Sequence, residues 1–394
     1  MRAAAEIYSF PVSFELPPSF WPTLYRLSVG KDWPPESDRD AAPFLARVVR
    51  EGLLSLLLVD ATLPAFVAQA ARPYEALHRT NLLRARVFED SLRTTFDAIG
   101  DEPMIVLKGT DYAYRLYPSP HLRPRQDIDV LVPRDRAAAI AWRLKRAGFR
   151  QHFPAGPVSR LRTYHEMVFE IGNATVEIHH SFIQRTRHRI DYDGVWKRAT
   201  PWRGFDQRLL QLDEVDALIY HSINMSADQF STPIFRHLDC WLMLRTNEQI
   251  LPQGVGRARE WAATHALYGA LRQTSRYFPQ LATPAVERAM QQLISGRTRA
   301  FLDREILPDP WSPRRRYGRP GQLWRKFWLI DDARHRAAFA LYHAYAVIAG
   351  SLLSQRAARQ HENAEKKTGE NDFAPQAQEQ AGGDHQSERR RRIE

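Results

Sequence analysis

The chain has 394 residues, enough for two or three packed units, with a single cysteine, Cys240, and a net charge of +11. One cysteine excludes an intrachain disulfide framework, and the lack of a CxxC or Cys/His cluster excludes a structural zinc site of the usual kind. The positive charge favours anionic partners without choosing among nucleotides, nucleic acids and lipid surfaces.

The start, "MRAAAEIYSFPVSFELPPSFWP", has no continuous apolar run of signal-peptide length, which predicts no export by that route and a cytoplasmic location. From 38 to 99 the pattern is helical. "AAPFLARVVREGLLSLLLV" is apolar at mixed three and four spacings. "NLLRARVFEDSLRTTFDAIG" predicts a helix with Leu83, Val87, Phe88, Leu92, Phe96 and Ile99 on one buried stripe, stopping at Gly100.

The periodicity then changes to that of strands. "PMIVLKG" is a short apolar run bounded by Pro and Gly, and "DIDVLV" alternates before becoming wholly apolar. Between them "TDYAYRLY" can form two helical turns before "PSPHLRP" breaks it. "RDRAAAIAWRLKRAGF" predicts a further helix, with Ala137, Ile140, Ala141, Leu144 and Ala147 on one face. "EMVFEI" and "ATVEIHHSF" flank Gly172-Asn173, a hairpin signal because Gly opens a type II′ turn.

After Phe182 the amphipathic stretches "DEVDALIYHSINMS", "IFRHLDCWLMLR" and "GRAREWAATHALYGALRQTSRYF" predict helices to about 354. "AAFALYHAYAVIAGSLLS" (337–354) is slightly short for a membrane span and carries His343 and tyrosines at its centre, so a packed helix is expected. Residues 355–394 carry too few apolar side chains to order themselves. The expectation is an α+β protein: a helical region at 1–100, a small mixed-sheet core at 101–184, a helical domain at 185–354 and a disordered tail.

The chemistry concentrates in the core. In a strand, residues i and i+2 share a face, so Asp127 and Asp129 stand side by side while Ile128 and Val130 point behind them. Adjacent carboxylates repel, and one takes up a proton unless a cation lies between them. Oxygen ligands of this kind suit Mg²⁺, or Mn²⁺, held together with the phosphates of a nucleotide. In "TVEIHHS" Val176 and Ile178 alternate inward, leaving Glu177 and His179 on the polar face. A neighbouring strand in register would bring Glu177 to the aspartates, giving a three-carboxylate site for two metals about 4 Å apart. Gly109 and Thr110 follow a strand and open a helix, where backbone N–H groups can receive phosphate. Lys108, Arg115, Arg123 and Arg125 are nearby cations that could clamp a polyphosphate.

"MIVLKGTDYAYRLYPSPHLRPRQDIDVLV", followed by "AGF" and "VEIHHSF", resembles the uncharacterised bacterial nucleotidyltransferase family of the polymerase-beta-like superfamily. The resemblance extends over most of residues 20–350, although only the centre is motif-specific. It implies a nucleotidyltransferase core with Gly109 and Thr110 in the phosphate-binding motif, Asp127 and Asp129 as first metal ligands and Glu177 as the third carboxylate. It further implies a nucleoside triphosphate (NTP) substrate, of which ATP is one candidate, Mg²⁺ or Mn²⁺, and an acceptor of unknown identity. The chain departs from the broader superfamily in Thr110 for serine, in a longer interval between Gly109 and Asp127, and in Glu177 for aspartate.

Blander roles stand beside these. Lys108 can be a strand-end lysine reaching solvent. His179 and His180 at a strand end read first as structural residues, and His221, His237 and Asp239 as helix-to-helix hydrogen bonders. Cys240 beside Trp241 reads as core. The basic, aromatic segment 312–328 could bind nucleic acid but reads first as a loop leading into an amphipathic helix. The rival to catalysis is a nucleotide-binding or scaffold protein of the same fold that serves a biosynthetic partner.

Overall fold

The computed structural model of the chain describes residues 15–33, 38–60, 63–152, 165–183, 187–308, 319–345 and 348. The predicted tail at 355–394 and residues 312–318 of the basic segment lie outside them.

The apolar runs of the central region form strands, as their alternation requires. β1 (Ile105–Val106), β2 (Asp127–Leu131), β3 (Arg150–His152), β4 (Glu166–Ile171), β5 (Ala174–His179), β6 (Thr200–Pro201) and β7 (Leu210–Gln211) make one seven-stranded sheet of order β3-β4-β5-β2-β1-β7-β6. The sheet is mixed: β2 runs parallel to β5 and antiparallel to β1, which is parallel to β7. The architecture is α+β, as expected. Gly172 takes φ +55° at the two-residue link and pairs Ile171 with Ala174 across the hairpin, so the register of β4 on β5 follows from the turn.

Helices cover both faces of the sheet. α1 (Phe20–Val29), α2 (Asp38–Arg50), α3 (Leu54–Val59), α4 (Ala65–Ala71) and α5 (Glu75–Ile99) precede it, and α6 (Lys108–Leu116) and α7 (Ala137–Arg146) are inserted between strands. On one face Val106, Ile128, Val130, Phe169, Val176 and Ile178 pack with Leu92, Phe96 and Ile99 of α5 and Ile140 and Leu144 of α7. Complete burial of a side chain of this size contributes about 1.5–3 kcal/mol, which fixes which way each strand faces. On the other face Ile105, Leu107 and Leu131 join the larger core shared by the N-terminal helices and the helices Glu214–Ala227, Ile234–Thr246 and Thr264–Tyr277. Asp127, Asp129, Glu177 and His179 belong to this second face by alternation.

Two features differ from the sequence expectation. The strands β3, β6 and β7 are two or three residues long, too short to show alternation, and the last two lie in a stretch read as wholly helical. The apolar stripe of α5 is buried only in its C-terminal half, since Leu83 and Val87 are 64% and 54% exposed. Periodicity marks a face as apolar without supplying a partner for its whole length. The chain divides into two units, Met1–His343 and Ala344–Glu394, and every element above belongs to the first. Among the described residues no helix is long and apolar enough to cross a membrane.

One buried ion pair joins the sheet region to the C-terminal helices. Arg123 reaches Asp239 on the helix Ile234–Thr246 with Nε and Nη2 at 2.7–3.1 Å from the carboxylate oxygens, and Tyr117 donates to the same carboxylate at 2.9 Å. His237 on that helix meets Thr274 Oγ1 of the helix Thr264–Tyr277 at 3.1 Å, and Cys240 is buried in the core. Replacing Asp239 with Ala strands the buried guanidinium of Arg123. The expected cost is about 3–5 kcal/mol, read as a lower urea midpoint, with Asp239→Asn losing less because it keeps acceptor capacity.

Candidate active site

The site is assembled by three elements that meet at Asp129. β2 and β5 pair in parallel with Asp129 opposite Glu177 and Leu131 opposite His179, so both carboxylates project from one face of adjacent strands. The third element is α6, whose first residue, Lys108, has φ +43°, an uncommon conformation for a residue with a Cβ. Its ammonium donates to Asp129 Oδ1 at 2.7 Å and to Glu177 Oε2 at 3.3 Å, and lies 3.4 Å from His179 Nε2. His179 Nε2 is 2.9 Å from Asp129 Oδ1 and 3.3 Å from Glu177 Oε2. Backbone strain at a residue that reaches such a cluster is characteristic of functional sites.

Electrostatics follow from this crowding. Asp129 is buried, which alone would favour its neutral form, yet Lys108 and His179 outweigh burial and hold the carboxyl well below the usual carboxylate range. For Lys108, burial opposes the charge, while Tyr220, Asp129 and Glu177 carry the ammonium well above its ordinary value. Burial and Lys108 disfavour the His179 cation, and hydrogen bonds with Asp129 and Glu177 reverse the balance and raise it. Asp127 is shifted upward, first by burial and then by the like charges of Asp129 and Glu177. Two carboxylates thus lie on one strand with opposite protonation tendencies, because only one of them has captured the lysine.

The remaining residues expected at the site are placed as follows. Gly109 and Thr110 stand in the first turn of α6, where N–H groups lack intrahelical acceptors. Thr110 is fully buried and its Oγ1 has no hydrogen-bond partner among the described residues. A Cβ at Gly109 would lie 2.8 Å from Arg123 Nη1, and Arg123 is locked by Asp239, so glycine is required there by close approach. Arg123 therefore supports α6 from beneath, with its charge committed to Asp239. Arg125 is half-buried, with its guanidinium 4.8 Å from the Phe88 ring and 5.5 Å from that of Tyr114. Arg115 pairs with Asp111 at 2.7 Å and donates to the Leu212 carbonyl at 2.8 Å. The structure brings Lys108, Asp129, Glu177 and His179 into contact, while Asp127 stands on the same face of β2 but is not among the ligand atoms gathered within 4.8 Å of one another, and the three arginines lie in the surrounding frame.

His179, which the sequence suggests is structural, joins the cluster, and Glu166 and His165, which the sequence does not single out, stand beside it. Glu166 lies opposite His179 on β4, with Oε2 3.5 Å from His179 Nδ1 and 3.2 Å from His165 Nε2. The two-residue hairpin was the available signal, because pairing Ile171 with Ala174 also pairs Glu166 with His179. A cavity of about 600 Å³ adjoins the C-terminal ends of β2 and β5, lined by Val132, Arg134, His180, Tyr192 and Trp196 among others.

The donor set fits a divalent cation. One ligand atom each from Asp129, Glu177 and His179 lies within 4.8 Å of the other two, and the Lys108 ammonium marks where positive charge is needed. A model of the family described as "Uncharacterised nucleotidyltransferase" matches residues 37–279, well over half of the chain. The chain belongs to this family. No curated protein and no solved structure matches it. The matched span of this nucleotidyltransferase contains β1 to β7, α6 and the helix that carries Asp239. Membership in the family implies transferase chemistry on an NTP, and the acidic and histidine groups can hold a metal.

The opposed tendencies of the two aspartates give a stability test. A carboxyl whose folded value is raised contributes nothing below its unfolded value near 3.8, and its cost appears as pH rises through the folded value. In metal-free buffer, Asp127→Asn is expected to melt above wild type at pH 7, with the two curves converging below the ordinary aspartate value. A variant that melts lower at pH 7 would remove the crowding argument.

Proposed function

We propose that this nucleotidyltransferase moves a nucleoside monophosphate from an NTP to a hydroxyl, or another nucleophile, of an acceptor, with pyrophosphate leaving. The observation that carries the reading is the parallel register that sets Glu177 directly beside Asp129, with Lys108 arriving from the N-terminus of α6. Asp127, Asp129 and Glu177 would hold Mg²⁺ or Mn²⁺. Bound there, such ions would activate the attacking oxygen and neutralise charge on the phosphates.

The protein's own groups then have separable tasks. The first-turn N–H groups of Gly109 and Thr110 receive phosphate oxygens, aided by the positive end of the α6 dipole. Lys108 has the reach to exchange its carboxylate partners for the polyphosphate, keeping one positive charge at the site throughout. Glu177 accepts the proton of the attacking hydroxyl as the new bond to the α-phosphorus forms and the bond to pyrophosphate breaks. Catalysis of this type is mainly positioning and charge stabilisation, so a small constellation suffices.

A second reading, nucleotide binding without transfer, is favoured by one observation: the Lys108 ammonium already neutralises the carboxylates that a metal would need. The two readings separate when each α-labelled NTP is incubated with Mg²⁺ or Mn²⁺, a cell extract and either wild type or Asp129→Ala. Transfer by wild type that falls at least about 100-fold in the variant is expected. Equal transfer by both proteins would sink the assigned site, and NTP binding with no transfer by wild type would favour the second reading.

A further inference from the structure

The His179 imidazole has a carboxylate at each nitrogen. Nε2 lies 2.9 Å from Asp129 Oδ1, and Nδ1 lies 3.5 Å from Glu166 Oε2. Nε2 is engaged with the Asp129 carboxylate, which leaves Nδ1 as the open position of the ring. Nδ1 faces the Glu166 carboxylate at a residue that is only 1% exposed. Nδ1 has no hydrogen-bond partner among the described residues, and neither has the buried Nδ1 of His165. A buried ring nitrogen without a partner beside a carboxylate is costly, and a cation bound by both would satisfy it.

We infer that His165, Glu166 and His179 form a second cation site, which takes a divalent transition metal of the zinc type. One ligand atom from each of the three lies within 4.8 Å of the others. Two imidazoles and one carboxylate are a donor set for Zn²⁺ and its neighbours, whereas Mg²⁺ prefers oxygen alone. Three protein ligands leave a fourth position for water or a substrate atom.

The local backbone presets this arrangement. Glu166 and His179 face each other across the β4–β5 ladder, and the His165 carbonyl accepts from the His180 N–H at 3.0 Å, fixing the entry into β4. The outer contact also matches metal chemistry. A metal-bound histidine commonly donates its other N–H to a carboxylate, as His179 does to Asp129. An ion on Nδ1 would fix the tautomer of His179 and thereby hold Asp129 Oδ1 in one orientation. The site is thus joined to the carboxylate cluster through a single ring, and its existence does not depend on nucleotidyl transfer.

The test uses the full chain, stripped with chelator and titrated with Co²⁺ as a coloured substitute for Zn²⁺, followed by Zn²⁺ displacement and an ion count by mass spectrometry. Wild type is expected to retain about one Zn²⁺ per chain in excess Mg²⁺ and to show a Co²⁺ ligand-field band that Zn²⁺ abolishes. His165→Ala and Glu166→Gln should each weaken Co²⁺ binding at least about tenfold, with circular dichroism confirming that both are folded. Asp127→Asn should leave the Co²⁺ band unchanged while abolishing Mg²⁺-dependent transfer, which separates this site from the nucleotidyl-transfer reading. Wild type that retains no Zn²⁺ would overturn the inference by itself. So would His165→Ala and Glu166→Gln variants that bind Co²⁺ as wild type does, or an Asp127→Asn variant that loses the band.

Discussion

A carboxylate as enclosed as that of Asp129 cannot remain ionised without positive charge and hydrogen-bond donors close to it, because burial removes the water that would otherwise solvate it. Here both requirements are met from outside its own strand. Lys108 comes from the start of α6 and His179 from β5, while Glu177 shares the same lysine. Because the contributors come from three elements, β2, β5 and α6, the cluster forms only when sheet register, helix start and strand facing are all correct. The most charged place in the fold is therefore also one of its most constrained.

That constraint propagates into the two cores. The branched side chains of Ile128, Val130, Val176 and Ile178 occupy one face of the sheet and leave no freedom for the opposite face to rotate away. A one-residue slip of β5 on β2 would carry Glu177 and His179 to the wrong side and bury charge among α5 and α7. On the helix side, Gly109 admits the Arg123 guanidinium close to the α6 backbone, and Asp239 holds that guanidinium in place. The position of Lys108 is thus fixed through backbone contacts that never touch its ammonium.

Much of this was legible in the sequence because it rests on local pattern. The alternation of "DIDVLV" and "TVEIHH" states which side chains share a face, and "LKGT" between a strand and a helix marks an anion-receiving turn. The roles of the arginines were not legible, since Arg123 and Arg125 find partners at Asp239 and Phe88, far away along the chain. Lys108 was ambiguous for a different reason: the direction of its side chain follows from a positive φ that no neighbouring residue type announces. The short strands β6 and β7 escaped notice because two residues carry no period, yet β7 pairs with β1 and extends the sheet. His165 and Glu166 look like an ordinary polar entry into a strand until the hairpin register is counted back from Gly172 and Asn173.

The Arg123–Asp239 pair bears on how a substrate can be admitted. Moving the segment that carries Arg123, which packs under Gly109 of α6, away from the helix Ile234–Thr246 would separate two opposite charges in a medium that offers neither of them a replacement. The seam therefore acts as a rivet, and the segment beneath α6 moves as one body with the helix that carries Asp239. Any adjustment around the carboxylate cluster falls to side chains that can turn without unseating a buried charge.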